Sequence, residues 1–415
     1  MGNVVTSIDL GSSKICVIIS EIDSNGQLQV VGIGKSRCKG IKKGVVVDIE
    51  ETTKAILEAV TQAENMADLE IYEAYINIPG GYTKLIRNKG IIAVSSDDKE
   101  ISFEDVKRVL NSATIVSIPQ DQRIIDIIPR QYIVDGYDEI SDPVGMVGIR
   151  LEVEADIIVG STTTVLNLVK SVNKAGIEVL GIVMEPIATS EAVLTKDEKD
   201  LGVLLLDIGA GTSDFSVFKN GTLIYSNILP IAGNHITNDI SVGLRLPFNR
   251  SEEIKKKFGV AYTKLADDNN IFEINPLGFS NNLEVNEMQL SEIIEARIRE
   301  IFEIINTDLI KNRVKDKILT GIVITGGGVS YFKGVTELGI EVFGLPVRIG
   351  QPYQMGTQEP IFSSAVGLIN YGFKRKLNYY IEYNNVEIKK SRGKKRSKNT
   401  KSVMSILKTI WDEYF

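Results

Sequence analysis

A two-lobed α/β fold with an internal duplication is predicted from three observations. A strand-and-turn signature recurs about half a chain apart. Apolar strands alternate with amphipathic helices along most of the sequence. The chain, at 415 residues, is also longer than one ordinary hydrophobic core organises.

Residues 4–9 form a short apolar run broken by Gly11-Ser12-Ser13, and residues 14–22 form a second one. Two strands joined by a Gly/Ser turn read as a hairpin. The pattern returns at 203–208, turns at Gly209-Ala210-Gly211-Thr212, continues at 214–218 and stops at Lys219-Asn220-Gly221. Both copies are apolar strands ending in Asp-x-Gly: Asp9-Leu10-Gly11 and Asp207-Ile208-Gly209. Amphipathic helices are predicted over 50–66, 103–113 and 290–309, and another over 165–175 with Gly176 as its stop. A strand at 321–325 leads into a third glycine loop, Gly326-Gly327-Gly328.

Composition excludes several classes. Hydrophobic residues make up 43% and charged residues 24%, as in a folded globular chain. The formal charge of −7 argues against general nucleic-acid binding, which needs clustered Lys and Arg. Cys16, Cys38 and His235 have no zinc-ligand spacing, and two cysteines in a chain this long fit a reducing compartment. Cys16 lies in a strand pattern and reads as a buried, inert thiol. No signal peptide is read at the N-terminus, and no apolar run approaches the roughly 20 residues that span a bilayer. Met1-Gly2 fits a myristoylation pattern but runs directly into the first strand, so chance explains it better. His235 reads as a core or rim residue rather than a catalyst.

The three loops carry the chemistry. Backbone N–H groups in tight Gly/Ser turns converge on phosphate oxygens because small residues let the chain approach. Gly11, Ser12 and Ser13 can do this from one side, and Gly209, Gly211 and Thr212 from the other. Lys14 adds a mobile positive charge. Asp9 and Asp207 end their strands at the same gap, and two carboxylates beside a triphosphate require a cation between them. Mg²⁺ held through water is therefore implied. Taken singly, each Asp-x-Gly is an ordinary strand-to-turn junction. Repeated, and joined by a third glycine loop, the pair indicates a nucleotide cleft.

This order of loops resembles the actin, Hsp70 and sugar-kinase ATPase superfamily. The resemblance narrows to the FtsA family of bacterial cell-division proteins in three places. One is the run from Ala192 through Thr195-Lys196-Asp197-Glu198 into Asp207-Ile208-Gly209-Ala210-Gly211-Thr212-Ser213-Asp214. The others are Gly44-Val45-Val46-Val47-Asp48-Ile49, and Pro230-Ile231-Ala232-Gly233-Asn234 with Glu252-Glu253-Ile254-Lys255. It implies an actin-like two-lobe fold of duplicated ribonuclease-H-like domains, with an inserted 1C subdomain and a C-terminal amphipathic helix. It implies ATP with Mg²⁺ as the ligand, and at most a weak or regulatory ATPase activity. Asp9 and Asp207 would organise Mg²⁺ and water, and Glu185 would position the hydrolytic water. Gly11, Ser12, Ser13, Lys14, Gly209, Ala210, Gly211, Thr212 and Asp214 would form the phosphate motifs, with Gly233 and Asn234 beside them. Glu252 and Lys255 would contact the adenosine, and Gly326, Gly327 and Gly328 would lie under base and ribose. Ala210 departs from the glycine common in the family, and a small residue is expected to serve.

By the same resemblance, 1–81 and 162–195 form subdomain 1A, with 82–161 inserted as 1C. Residues 196–225 and 305–354 form 2A around 2B at 226–304, and 355–384 return to 1A. A basic linker spans 385–401, and 402–415 form a membrane-targeting helix. The linker crowds Lys389, Lys390, Arg392, Lys394, Lys395, Arg396, Lys398 and Lys401 into a stretch unable to bury a core. In the last segment Val403, Ile406, Leu407, Ile410, Trp411 and Tyr414 recur at helical spacing, flanked by Met404 and Phe415. Such a helix, roughly 21 Å long, can lie in a membrane surface. Docking on the protein's own core is the alternative. The basic linker favours the membrane, since each cation near an anionic surface contributes about 1 kcal/mol.

The function so implied is that of an ATP-binding adaptor at the cytoplasmic face of the cell membrane, at the division site. It would self-associate, tether FtsZ filaments and recruit later division proteins. The FtsZ C-terminal tail would dock near Arg297 and Arg299, which could equally be solvated helix charges. A pilus-type assembly ATPase and a soluble kinase of the same fold are the alternatives.

Overall fold

The computed structural model describes residues 4–23, 26–278 and 282–375. The linker at 385–401 and the apolar segment at 402–415, with Val403, Met404, Ile406, Leu407, Ile410, Trp411, Tyr414 and Phe415, lie outside the described residues.

The first lobe starts with β1 (Val4–Leu10), β2 (Lys14–Ile22), β3 (Leu28–Arg37), the short pair β4 (Ile41–Lys42) and β5 (Val45–Val46), α1 (Ile49–Ala67) and β6 (Glu73–Ile78). β1 and β2 form the predicted hairpin, with Asp9 opposite Cys16, and β6 runs parallel to β1. Both hairpin strands are buried over most of their length, which is why they read as continuous apolar runs rather than alternating ones. α1 begins where the Asp48 side chain accepts the Glu51 N–H, and it ends at Asp68 in the left-handed region.

The chain then leaves the lobe to build β7 (Thr83–Ala93), α2 (Phe103–Ala113), β8 (Gln122–Val134), β9 (Tyr137–Ile140) and β10 (Arg150–Ser161). These four strands form an antiparallel sheet in the order β7-β10-β8-β9. A reciprocal Ser102–Asp105 capping box starts α2. The unit has its own core, including Val109, Ala113, Leu151, Val153 and Val159. Ile125 and Ile158 belong instead to the core of the first lobe and seat the insert on it.

α3 (Thr162–Lys174), β11 (Glu178–Met184) and α4 (Glu185–Val193) return to the first lobe, whose sheet order is β11-β6-β1-β2-β3. α4 touches β6 and β11 on one side and strands of the second lobe on the other. Pro186 to Ser190, Ala192 and Val193 are all buried, as expected of a helix enclosed between two layers.

The second lobe comprises α5 (Lys196–Leu201), β12 (Val203–Ile208), β13 (Ser213–Lys219), β14 (Thr222–Leu229), α6 (Gly233–Gly243) and α7 (Phe248–Phe258). It continues through β15 (Ile271–Ile274), β16 (Leu283–Asn286), α8 (Glu287–Lys311), β17 (Gly321–Thr325), α9 (Val335–Phe343) and β18 (Val347–Ile349). The sheets β3-β2-β1-β6-β11 and β14-β13-β12-β17-β18 correspond strand for strand. Each is a three-stranded antiparallel meander extended by two parallel strands. The duplication read from two short motifs thus extends to the whole of both sheets. Residues 363–375, α10, complete the first lobe: Ala365, Val366, Leu368 and Ile369 enter its core, and Ser7 Oγ donates to Ala365 O at 2.8 Å.

Candidate functional site

The two strand turns close in the same way. Gly11 N–H donates to Lys14 O at 3.1 Å, and Gly209 N–H donates to Thr212 O at 2.9 Å. The loops face each other across the gap between the lobes. A Cβ placed on Gly211 would stand 3.2 Å from Ser12 Cβ, so a larger residue fits there only if the facing loop gives by a few tenths of an ångström. Ser12 Oγ accepts the Gly44 N–H at 3.0 Å, and Ser13 O accepts the Cys38 N–H at 3.0 Å. These bonds fix the first loop against the β4–β5 segment and the end of β3.

The third glycine loop packs behind the second. Gly328 N–H donates to Ile208 O at 2.7 Å, and Gly327 lies against Ile361. Gly326 has φ +87°, and a Cβ there would collide with Asp207 Oδ1, so backbone hand and space both demand glycine. The start of α6 is laid on the second loop: Gly233 N–H donates to Gly209 O at 3.1 Å and Asn234 N–H to Ala210 O at 2.8 Å. His235 Nδ1 accepts the Ala232 N–H at 3.1 Å and so caps α6, a structural role.

Asp9, Glu185, Asp207 and Asp214 meet beneath these loops. Asp9 and Asp214 are buried, while Asp207 and Glu185 are partly open to the cleft. Burial raises all four above the usual carboxylate range, and repulsion among them adds to it for Glu185, Asp207 and Asp214. Asp207 and Asp214 are each pushed up to about 7. Lys14 opposes this at Asp9, with Nζ 3.8 Å from Asp9 Oδ2. Lys14 is not a freely moving charge, because its ammonium also donates to Ile361 O.

Such a cluster is suited to a hard cation and an anionic ligand. Among the described residues no three His, Cys, Asp or Glu side chains converge as a direct metal shell. One buried hydroxyl, Ser330 Oγ just past the third loop, has no hydrogen-bond partner among the described residues. Polar atoms left so are what a ligand or its waters would satisfy.

Three predicted residues are held by partners within the chain. Lys255 is buried, and its Nζ donates to Thr237 Oγ1 at 2.7 Å and Gly233 O at 3.0 Å, with Glu252 Oε2 at 2.6 Å. It ties α7 to the start of α6 and hence to the second loop. Arg297 and Arg299 on α8 are both ion-paired. Arg297 grips Asp239 at 2.6 and 3.1 Å, and Arg299 meets Glu295 at 2.6 Å and Glu341 at 2.9 Å.

Three supporting groups were not anticipated. Asn77 Nδ2 donates to Asp9 Oδ1 at 2.9 Å, Gly80 N–H donates to Asp214 Oδ1 at 3.2 Å, and Thr189 Oγ1 reaches Asp207 Oδ2 at 3.5 Å. Asn77 carried a usable signal, being an amide within the apolar run 74–78. The others act through contacts between distant segments.

Two duplicated sheets with matched loops across a cleft define an actin-like protein. Solved structures agree in fold. The PilM-PilN type IV pilus biogenesis complex aligns with a TM-score of 0.60 at 15% identity, over 89% of this chain and 98% of its own. MreB5 of Spiroplasma citri bound to ADP aligns at 0.58 and 14% identity, over 91% and 98%. Sequence similarity is more specific. Residues 204–367 match the family profile "Cell division protein FtsA", and 80–159 match "SHS2 domain inserted in FTSA". Cell division protein FtsA of Bacillus subtilis (strain 168) is 41% identical over 88% of this chain and 82% of its own length. That of Escherichia coli (strain K12) is 31% identical, over 90% and 91%. The chain belongs to the FtsA family of cell-division proteins.

Proposed function

We propose that the cleft binds ATP with Mg²⁺ and that the nucleotide controls self-association of the protein at the cytoplasmic face of the cell membrane. There it tethers FtsZ filaments and recruits later division proteins. Asp9 and Asp207 would hold Mg²⁺ through water, and the ion would offset phosphate charge that carboxylates alone would repel. The two phosphate loops would supply backbone N–H donors, and Glu185 would orient a water. Turnover would be slow at most, so the nucleotide acts as a switch. In this reading 82–161 is the 1C subdomain, 226–304 is 2B with the FtsZ tail near Arg297 and Arg299, and 402–415 is the membrane segment. Because both arginines already hold carboxylates, a docking tail would have to compete with them.

The observation that carries the reading is the pairing of the two loops, Gly211 against Ser12, above four shared carboxylates. Titration with a fluorescent ATP analogue and Mg²⁺ tests it. Asp207→Ala is expected to weaken binding at least about tenfold, equivalent to about 1.4 kcal/mol. Wild-type affinity in that variant would overturn the site. Deletion of 402–415 is expected to abolish co-sedimentation with anionic vesicles, and unchanged co-sedimentation would remove the membrane role.

A further inference from the structure

The last described turn of α10 has two neighbouring faces, each made by a pair four residues apart. On one face Asn370 Nδ2 donates to Glu191 O at 3.0 Å, and Lys374 Nζ pairs with the Glu191 carboxylate. The same carboxylate takes Lys199 Nζ of α5 at 2.9 Å, where the chain crosses into the second lobe. Glu191 therefore joins both lobes and α10 at a single group. It lies on α4, six residues or about 9 Å from Glu185 in the cleft.

On the other face, Tyr371 and Arg375 hold the insert. Tyr371 Oη donates to the Asp126 carboxylate. Arg375 Nη2 donates to Asp126 Oδ1 at 2.5 Å, Ile127 O at 3.1 Å and Tyr371 Oη at 2.8 Å, and its guanidinium lies 5.3 Å from the Tyr371 ring centre. Asp126 and Ile127 belong to β8.

We propose that residues 370–375 are a coupling turn that transmits the relative position of the two lobes, sensed at Glu191, to the orientation of the inserted unit, held at Asp126. A turn of helix is stiff, so a displacement of Lys374 moves Arg375 with it. α4 touches strands of both lobes, so lobe rotation has to be absorbed around it, and Glu191 rides on that helix. The arrangement links the state of the cleft to a unit that packs on the first lobe through Ile125 and Ile158, with Leu85 and Ile128 beside them. In its nucleotide-driven form the inference rests on the ATP-binding reading above. The mechanical link between Glu191 and Asp126 does not.

Hydrogen–deuterium exchange across β8, measured on the full chain, tests both parts. Without nucleotide, Glu191→Gln is expected to speed exchange around Asp126 about threefold or more in the wild-type background. In an Arg375→Ala background the same change is expected to have almost no effect, the non-additivity that marks coupling. Tyr371→Phe, a milder variant that keeps the ring, is expected to give an intermediate response. Equal effects of Glu191→Gln in both backgrounds, or none in either, would overturn the coupling turn. With AMPPNP and Mg²⁺, exchange in β8 is expected to change in the wild type. In Arg375→Ala it is expected to stay constant while nucleotide affinity remains within about twofold. Retention of the full nucleotide response in Arg375→Ala would overturn the proposal. Failure of the wild type to bind AMPPNP would overturn the ATP reading, leaving the nucleotide-free comparison to decide the coupling turn.

Discussion

Asn77 joins the backbone of the first strand turn to its carboxylate. Its Oδ1 accepts the Leu10 N–H at 2.7 Å while its Nδ2 donates to Asp9 Oδ1 at 2.9 Å. The side chain is 1% exposed, so no water replaces either bond easily. Asn77→Ala is expected to cost about 1–3 kcal/mol of stability, read by urea unfolding. ATP-analogue affinity is expected to fall with it, because Asp9 loses the donor that orients it. Wild-type values for both would remove Asn77 from the site.

Gly211 and Gly326 make a graded pair. Gly211→Ala meets Ser12 at 3.2 Å, a contact that a shift of a few tenths of an ångström relieves. It is expected to lower nucleotide affinity with little change in melting temperature. Gly326→Ala combines a left-handed φ with a collision at Asp207 and is expected to cost about 2–4 kcal/mol. Thermal unfolding of the two variants side by side distinguishes a tight loop from a strained backbone.

Glu198 links the crossing segment to the far strand of the second lobe. Arg348 Nε and Nη2 donate to its two oxygens, each at 2.7 Å, and the Thr195 N–H donates at 2.8 Å. Burial works to raise this carboxyl, but the Arg348 and Thr195 hydrogen bonds outweigh it and hold it below its ordinary 4.5. A carboxyl depressed by folding gives its full stabilisation above the unfolded value and loses it as pH falls through the folded one. Glu198→Gln is therefore expected to destabilise at pH 7 by about 1 kcal/mol, since the pair is partly exposed. Melting curves should converge with the wild type as pH drops below about 4.5.

Both cysteines are expected to be silent in the native protein. Cys16 is 0% exposed, and burial pushes its thiol up to about 11, while Cys38 is 5% exposed. A disulfide-exchange reagent at pH 8 is expected to label them at least about a hundredfold faster in denaturant than in buffer. Rapid native labelling of Cys16 would mean that the β1–β2 hairpin opens.

The hairpins were legible because strands covered on both faces leave unbroken apolar runs, as in β1, β2 and β12. α2 could be read to the residue over 103–113, since Ser102 and Asp105 cap it locally. The sheet of the insert could not, because Arg150 pairs with Ala93 across most of that unit, and long-range pairing leaves no local periodicity. α4 is buried on nearly every side and mixes polar with apolar residues, so no single apolar face marks it. In the site, glycines and aspartates announced the loops, but their supports did not. Gly80 meets Asp214 across 134 positions, and only the folded chain brings them together. Lys255 reads as an adenosine contact only through the family resemblance, and its bonds to Gly233 and Thr237 depend on how α7 lies on α6.

The bond between Ser7 and Ala365 spans 358 positions, whereas the second lobe runs from β12 to β18 without a detour. On the ribosome, the lobe that begins first is therefore finished last. At about 5–20 residues per second, β1 and β2 wait many seconds for α10, while the second lobe can close as soon as β18 emerges. A chain stopped just short of residue 363 would carry one finished lobe and one with its core open. Quality control during translation has a definite window in which to act on this protein, and that window closes only when α10 arrives.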